Sequence, residues 1–276
     1  MNNKRISIII PTYNSSIILE ENIKIISSYK QCKIFVIDDG SVSDEARKNK
    51  IICNNYGCNY TYTLNQGPSH ARYVGLLDSD TEFCFFLDTD DYIAEFALDW
   101  GVNYLLENNE VDAIVFRSDY VEEFNCKNET GNIFTIKKYN RGLIQECIEC
   151  LGYPKQFTLG WNQSNTLYRR NKIIDAYKIR YLTWGEDIPL KLKLISVMSL
   201  ISVRTLGGSQ IKISYGRGYK YTPKQIVELA LEVYRTSLNN AFCLAFITVI
   251  RYMLSYFYKR LKQLSSKRKW VMLPTY

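Results

Sequence analysis

Phe83-Cys84-Phe85-Phe86-Leu87-Asp88-Thr89-Asp90-Asp91 decides how the chain is read: five apolar residues run straight into three carboxylates within four positions. A short, bulky, partly aromatic run of this kind is the pattern of a strand buried on both faces. In open α/β sheets, ligands bind in the crevice beyond the carboxyl ends of the strands. Three acids gathered there repel one another unless something positive sits between them, and a divalent cation is the usual solution. Taken alone, the cluster is equally a solvated acidic turn after a core strand. The flanking sequence has to decide.

Upstream, Ile6 to Ile10 is a β-branched run closed by Pro11, and Lys33 to Ile37 is a second buried strand that runs into Asp38-Asp39-Gly40-Ser41. Between them Pro11-Thr12-Tyr13-Asn14 is turn chemistry, after which Ser15 or Ser16 caps a helix through about Ser28. Ser43-Asp44-Glu45 opens another helix with acids in its first turn, where the dipole favours them. Tyr60 to Leu64 is a weaker strand, and Gly67-Pro68-Ser69 caps a helix through about Leu77. Downstream, a helix from roughly Ala94 to Leu106 leads to a strand at Ala113 to Arg117. Strands alternating with helices at this spacing predict an α/β fold with a mostly parallel, doubly wound sheet. Asn14, Asp38/Asp39 and Asp88 to Asp91 then fall beyond strand ends on one rim, and a single pocket is the economical explanation.

Past Val121 the sequence turns polar as far as Lys138, like a hairpin or small excursion. A helix near Leu143 to Leu151 and a strand at Thr166 to Tyr168 follow. Gly185-Glu186-Asp187 opens an apolar helix, Ile188 to Val197, with Pro189 tolerated in its first turn. Two acids at a helix N-terminus are by themselves often only dipole complements. Short strands around Ile201 to Val203 and Ile211 to Tyr215 close the body.

With 276 residues, 46% of them hydrophobic and 23% charged, the chain can bury a large core. Its formal charge of +7 is unevenly placed: no acid follows Glu232 but eight basic residues do, which leaves the first 232 residues at −1. A nucleic-acid-binding body is therefore not supported. The eight scattered cysteines read as small buried hydrophobes of a reduced compartment. Cys147 and Cys150 form a lone C-x-x-C without a second pair or a nearby His, a poor signal for zinc or redox chemistry. Lys4 and Arg5 precede too short an apolar run for a signal-peptide core, since Pro11 interrupts it. The expected location is the cytoplasm.

Taken in order, these motifs resemble a known family. Ser7-Ile8-Ile9-Ile10-Pro11-Thr12-Tyr13-Asn14 and Val36-Ile37-Asp38-Asp39-Gly40-Ser41 resemble the opening of family 2 glycosyltransferases with the GT-A fold. The likeness continues through Asn65-Gln66-Gly67-Pro68-Ser69, Ala71-Arg72, Gly75 and Phe86-Leu87-Asp88-Thr89-Asp90-Asp91, then Trp161-Asn162, Leu167-Tyr168-Arg169-Arg170 and Gly185-Glu186-Asp187. The resemblance implies a nucleotide-sugar site, for a UDP-hexose or UDP-N-acetylhexosamine, made by Pro11, Tyr13, Asn14, Asp38 or Asp39, Arg72, Asp88 and Asp90. It implies Mn²⁺ or Mg²⁺ on Asp90 and Asp91, where hard oxygen ligands suit such ions and the cation neutralises the departing diphosphate. It also implies an inverting displacement, with Asp187 as the base for the acceptor hydroxyl and Glu186 as its tuning neighbour. Tyr73 stands where the family usually has Asn, and Gln163 to Thr166 are extra residues on the acceptor side. Asp78-Ser79-Asp80 is a second D-x-D, but it precedes an apolar strand and reads as a solvated turn.

The domain boundaries expected are 1–220 for the catalytic domain, with a nucleotide half to about 118 and an acceptor half to 220, and 221–276 for a basic helical appendage. In the appendage, an apolar run of ten from Ala241 to Ile250 is too short to span a bilayer, which takes about 20 residues. Phe242, Phe246, Val249, Met253, Tyr256 and Phe257 on one side, with a basic end, fit a helix lying in a membrane interface. Packing of that helix on the body is the other reading. By family habit the expected acceptor is an undecaprenyl-diphosphate-linked saccharide of O-antigen or capsule assembly, met peripherally on the cytoplasmic face of the inner membrane. A sugar nucleotidyltransferase would need a Gly-rich phosphate loop near the first strand, and Pro11-Thr12-Tyr13-Asn14 is not one. A degenerate binding protein is disfavoured by the presence of Asp90, Asp91, Arg72 and Asp187 together.

Overall fold

A computed structural model describes residues 4–121, 133–139, 143–151, 158–177, 187–205, 208–212, 222–236 and 241–268. The nucleotide half alternates as its sequence pattern dictates: β1 (Ile6–Thr12), α1 (Ser16–Ile26), β2 (Cys32–Asp38), α2 (Ser43–Tyr56), β3 (Asn59–Tyr62), α3 (Pro68–Asp78) and β4 (Phe83–Phe86). After the acidic loop come β5 (Asp91–Ile93), α4 (Glu95–Glu107), β6 (Ala113–Arg117), β7 (Asp119–Val121) and β8 (Ile133–Lys138). The chain continues through α5 (Leu143–Leu151), β9 (Thr166–Arg169), α6 (Arg170–Ala176), α7 (Asp187–Val197), β10 (Leu200–Thr205), β11 (Ser209–Lys212), α8 (Pro223–Thr236) and α9 (Ala241–Arg268).

The main sheet has the order β3-β2-β1-β4-β9-β6-β10-β8. β3, β2, β1, β4, β6 and β10 run in one direction, while β9 and β8 run against them. A second sheet, β5-β11-β7, stands beyond the acidic loop. The expected excursion between Val121 and Lys138 sends its two ends to different sheets: β7 pairs with β11, and β8 pairs with β10 at the edge of the main sheet.

Helices cover both faces of the main sheet, which is why its central strands are apolar without alternation. Phe83 and Phe85 face one core with Ile8, Ile10, Leu19 and Leu98, while Phe86 and Cys84 face the other with Ile9, Ile37 and Tyr168. Each such side chain contributes about 1.5–3 kcal/mol on full burial. α3 lies hard against β1 and β2 because Gly75 has no side chain: a Cβ there would stand 2.3 Å from Ile9 Cγ2.

α8 and α9 share that second core through Leu229, Val233 and Leu244. α9 is one continuous helix of 28 residues, longer than the ten-residue apolar run suggests. Arg251, which ends that run in the sequence, turns toward the body and donates from Nη1 to the Cys150 carbonyl. The outward face therefore differs from the expected one: Phe246, Ile250, Leu254, Phe257 and Tyr258 are exposed, whereas Val249, Met253 and Tyr256 are half-buried. The Phe242 side chain and the basic side chains beyond Tyr258 lie outside the described residues. No helix among the described residues is long and apolar enough to cross a membrane.

Candidate active site

The loops after β1, β2 and β4 converge at the carboxyl edge of the parallel strands, and a cavity of about 610 Å³ opens there. Pro11, Tyr13, Asp39, Arg72, Asp88, Asp90 and Asp187 all line it. Asn14 does not. It sits at φ 50°, a left-handed conformation that Asn tolerates. Its N–H donates to Ser41 Oγ at 2.8 Å and its Oδ1 accepts from the Val42 N–H at 2.9 Å. Asn14 thus stitches the first loop to the second.

Asp38 and Asp39 divide the work that the sequence left open between them. Asp38 is fully buried, and accepts from the Ser41 N–H, Asn49 Nδ2 and the Tyr60 hydroxyl at 2.8–2.9 Å. Burial, then the Asp38 carboxylate, push the Tyr60 hydroxyl above its ordinary value. Asp38 is a bracket under the loop and does not reach the cavity. Asp39 lines the cavity and accepts from the Gln66 and Gly67 N–H groups at 2.9 and 2.8 Å, which ties the second loop to the start of α3. Gly40 permits this approach: it lies at φ 79°, and a Cβ there would stand 2.6 Å from the Asn65 nitrogen.

Arg72, one turn into α3, is 5% exposed and donates from Nη2 to Asp88 Oδ1. Its Nε and Nη1 have no hydrogen-bond partner among the described residues. Burial opposes the charge of this guanidinium, and the fields of Asp88, Tyr177 and Asp187 override it, holding the group above its ordinary value. Of the three clustered acids, Asp88 and Asp90 line the cavity and Asp91 does not. Asp91 is buried at the start of β5, where the backbone pairs with β11. Asn22 on α1, a residue the sequence did not single out, fixes this loop by donating to the Asp91 carbonyl at 2.7 Å. The expected Asp90–Asp91 pair of metal ligands is therefore not brought together at the cavity.

Asp187 opens α7, and Gln163 Nε2 donates to its Oδ1. Gln163 Oε1 in turn accepts from the buried Tyr177 hydroxyl. Gln163 belongs to a 3₁₀ turn, Gln163–Asn165, whose Ser164 Oγ accepts the Asp88 N–H at 3.1 Å. Asn162 and Asn165 hold the turn as a reciprocal capping box. The sequence marked Gln163 to Thr166 only as extra residues. Their polarity between Trp161 and an apolar strand was the available signal. Glu186 lies outside the described residues.

Residues 7–175 match the family described as glycosyl transferase family 2. The chain belongs to glycosyl transferase family 2. An uncharacterized glycosyltransferase of Rickettsia conorii is 26% identical over 255 residues, covering 88% of this family 2 chain and 38% of the relative. A Campylobacter jejuni relative named GalNAc(5)-diNAcBac-PP-undecaprenol beta-1,3-glucosyltransferase is 33% identical over 125 residues, covering 43% of the chain and 39% of the relative. The family 2 chain thus spans less than half the length of these curated relatives. Among solved structures, S. aureus TarS in complex with UDP-GlcNAc superposes with a TM-score of 0.58 at 20% identity, over 86% of this chain and 69% of that one. The fold is GT-A.

A second cavity of about 250 Å³ adjoins the first in this family 2 chain, with Asn162 in the wall of both. Arg117, Trp161 and Lys191 line it. Lys191 lies one turn along α7 from Asp187 and donates to the Glu149 carbonyl at 2.7 Å, with Glu149 Oε2 at 3.3 Å. The C-x-x-C is structural here: Cys150 Sγ lies 3.0 Å from Thr248 Oγ1 and packs α5 on α9. Burial, then the neighbouring Cys243, push the Cys147 thiol up to about 11. Among the described residues, no cluster of three or more His, Cys, Asp or Glu side chains could hold a metal ion alone.

Proposed function

We propose that the protein is an inverting glycosyltransferase that moves a sugar from a UDP-hexose or UDP-N-acetylhexosamine to a lipid-diphosphate-linked saccharide, in O-antigen or capsule assembly. The observation that carries this reading is Arg72: a buried guanidinium, with Nε and Nη1 unpartnered among the described residues, that lines one cavity with Asp88, Asp90 and Asp187. Planar, charged N–H donors of this kind suit diphosphate oxygens. Asp39 and the half-exposed Tyr13 are assigned to the base, since a carboxylate that already accepts two bonds keeps lone pairs for a uracil N3–H.

The donor set fits a hard divalent cation, Mn²⁺ or Mg²⁺. Asp90, with Asp88 beside it, offers carboxylate oxygens, and such ions habitually complete their shell with substrate phosphates and water. When bound, the cation supplies neutralisation of the charge on the departing nucleoside diphosphate. Asp187 takes the proton of the acceptor hydroxyl, whose oxygen bonds to the anomeric carbon as the bond to the β-phosphate oxygen breaks. Displacement in line inverts the centre, so an α-linked donor yields a β-glycoside. Gln163, braced by Tyr177, positions the Asp187 carboxylate for this proton transfer. The cavity with Trp161 and Lys191 is assigned to the acceptor, because it meets the donor cavity at Asn162. The name of the C. jejuni relative supports a lipid-linked saccharide there.

The test is transfer from a nucleotide-sugar panel with Mn²⁺ to a lipid-diphosphate-linked monosaccharide. Asp187→Asn is expected to lower kcat about 10³-fold with UDP affinity retained. Asp90→Ala is expected to weaken donor binding and abolish its Mn²⁺ dependence. Wild-type rates in both variants would sink the mechanism.

A further inference from the structure

α8 and α9 each carry an exposed apolar row. On α9, Phe246, Leu254 and Tyr258 are 58%, 65% and 68% exposed, with Ile250 and Phe257 exposed between them. Spaced by three and four residues, they form one stripe about 18 Å long at 1.5 Å per residue. On α8, Val227, Leu231 and Tyr234 make a second row of the same spacing, each about half exposed. Beyond Tyr258 the helix continues through Lys259, Arg260, Lys262, Lys267 and Arg268 with no acid in the sequence to offset them.

We propose that these two rows seat the protein on an anionic lipid surface. A row of large apolar side chains on a basic helix matches a surface that is apolar below and negative above. A second copy of the chain is the poorer occupant, because each copy would bring the same uncompensated positive charge to the contact. Arg251 takes no part, since its guanidinium is committed to the Cys150 carbonyl. As to why a lipid surface is met at all, the inference rests on the lipid-linked acceptor proposed above, and it names the face that meets it.

The full-length chain is floated with phosphatidylglycerol–phosphatidylethanolamine vesicles and with phosphatidylcholine vesicles. Two variants, Phe246→Ser/Leu254→Ser and Lys259→Glu/Arg260→Glu, are run beside it, with circular dichroism and UDP titration on each. Wild type is expected to float with the anionic vesicles, less so as salt is raised, and each variant to bind them about tenfold or more weakly while still binding UDP. The inference is overturned if wild type ignores anionic vesicles or binds both kinds alike. Wild-type affinity in both variants, or a solution dimer that Phe246→Ser/Leu254→Ser dissociates, would overturn it too. Vesicle binding that persists while UDP binding is absent supports the docking face and counts against the donor site alone.

Discussion

Replacing Asp39 by Ala removes a carboxylate from the cavity wall, whereas replacing Asp38 by Ala leaves the buried Ser41 N–H and Asn49 amide without this acceptor and takes one of two from the Tyr60 hydroxyl. The two changes are expected to separate cleanly. Asp38→Ala should cost about 3 kcal/mol of stability, read as a lowered urea midpoint, because unmet buried hydrogen-bonding groups are expensive. Asp39→Ala should melt closer to wild type and lose UDP affinity by titration calorimetry. The reverse pattern would exchange the two roles. The pair also marks a limit of sequence reading. Alternation along an extended backbone says that neighbours point opposite ways, but which one points to solvent depends on what covers the sheet, here Asn49 and Tyr60 from α2 and β3. Asp88 to Asp91 pose the same problem: the run into the acids was legible, but the return of Asp91 into a second sheet was not, because β11 is more than a hundred residues away.

At the scale of elements, Gly75 leaves no room for a side chain between α3 and the sheet. Gly75→Ala is expected to destabilise the fold by about 1–3 kcal/mol, through Ile9 and Ile37, and to be visible as a lower melting temperature. An unchanged melting temperature would show that α3 can lift off β1 at no cost. The first four strands and their helices were legible because apolar runs and caps recur there at α/β spacing. The reversed direction of β9 was not, since the side-chain pattern of a strand reads the same either way along it. Its neighbours explain it: Arg169 Nε donates to the Val111 carbonyl at 2.9 Å, and Arg170 Nε bonds Ser79 Oγ at 2.8 Å. The Arg169-Arg170 pair of the family resemblance therefore fastens elements together, away from the donor cavity. The helix past Arg251 was legible, but which of its faces packs was not, because Arg251 turns to the Cys150 carbonyl on α5.

Over the whole molecule, the C-terminal helices belong to the same packing unit as the sheet. Truncation after Lys220 would strip Leu229, Val233 and Leu244 from the core that also holds Phe86 and Ile9. The shortened chain is expected to lose its cooperative thermal transition or to aggregate, and a melting curve like that of the full chain would show that the body folds without them. A basic tail could be recognised from composition, but its packed face depends on α5 and α7, which no local pattern reveals. The 3₁₀ turn at Gln163–Asn165 has a consequence on this scale. Ser164 accepts from the Asp88 backbone N–H and its neighbour Gln163 donates to the Asp187 carboxylate, so two adjacent residues tie the acidic loop to the start of α7. In the proposed reaction, the spacing between the loop assigned to the leaving group and the assigned base is then set across a single peptide unit. Surrounding loops can vary with the sugar or the acceptor while that spacing stays fixed.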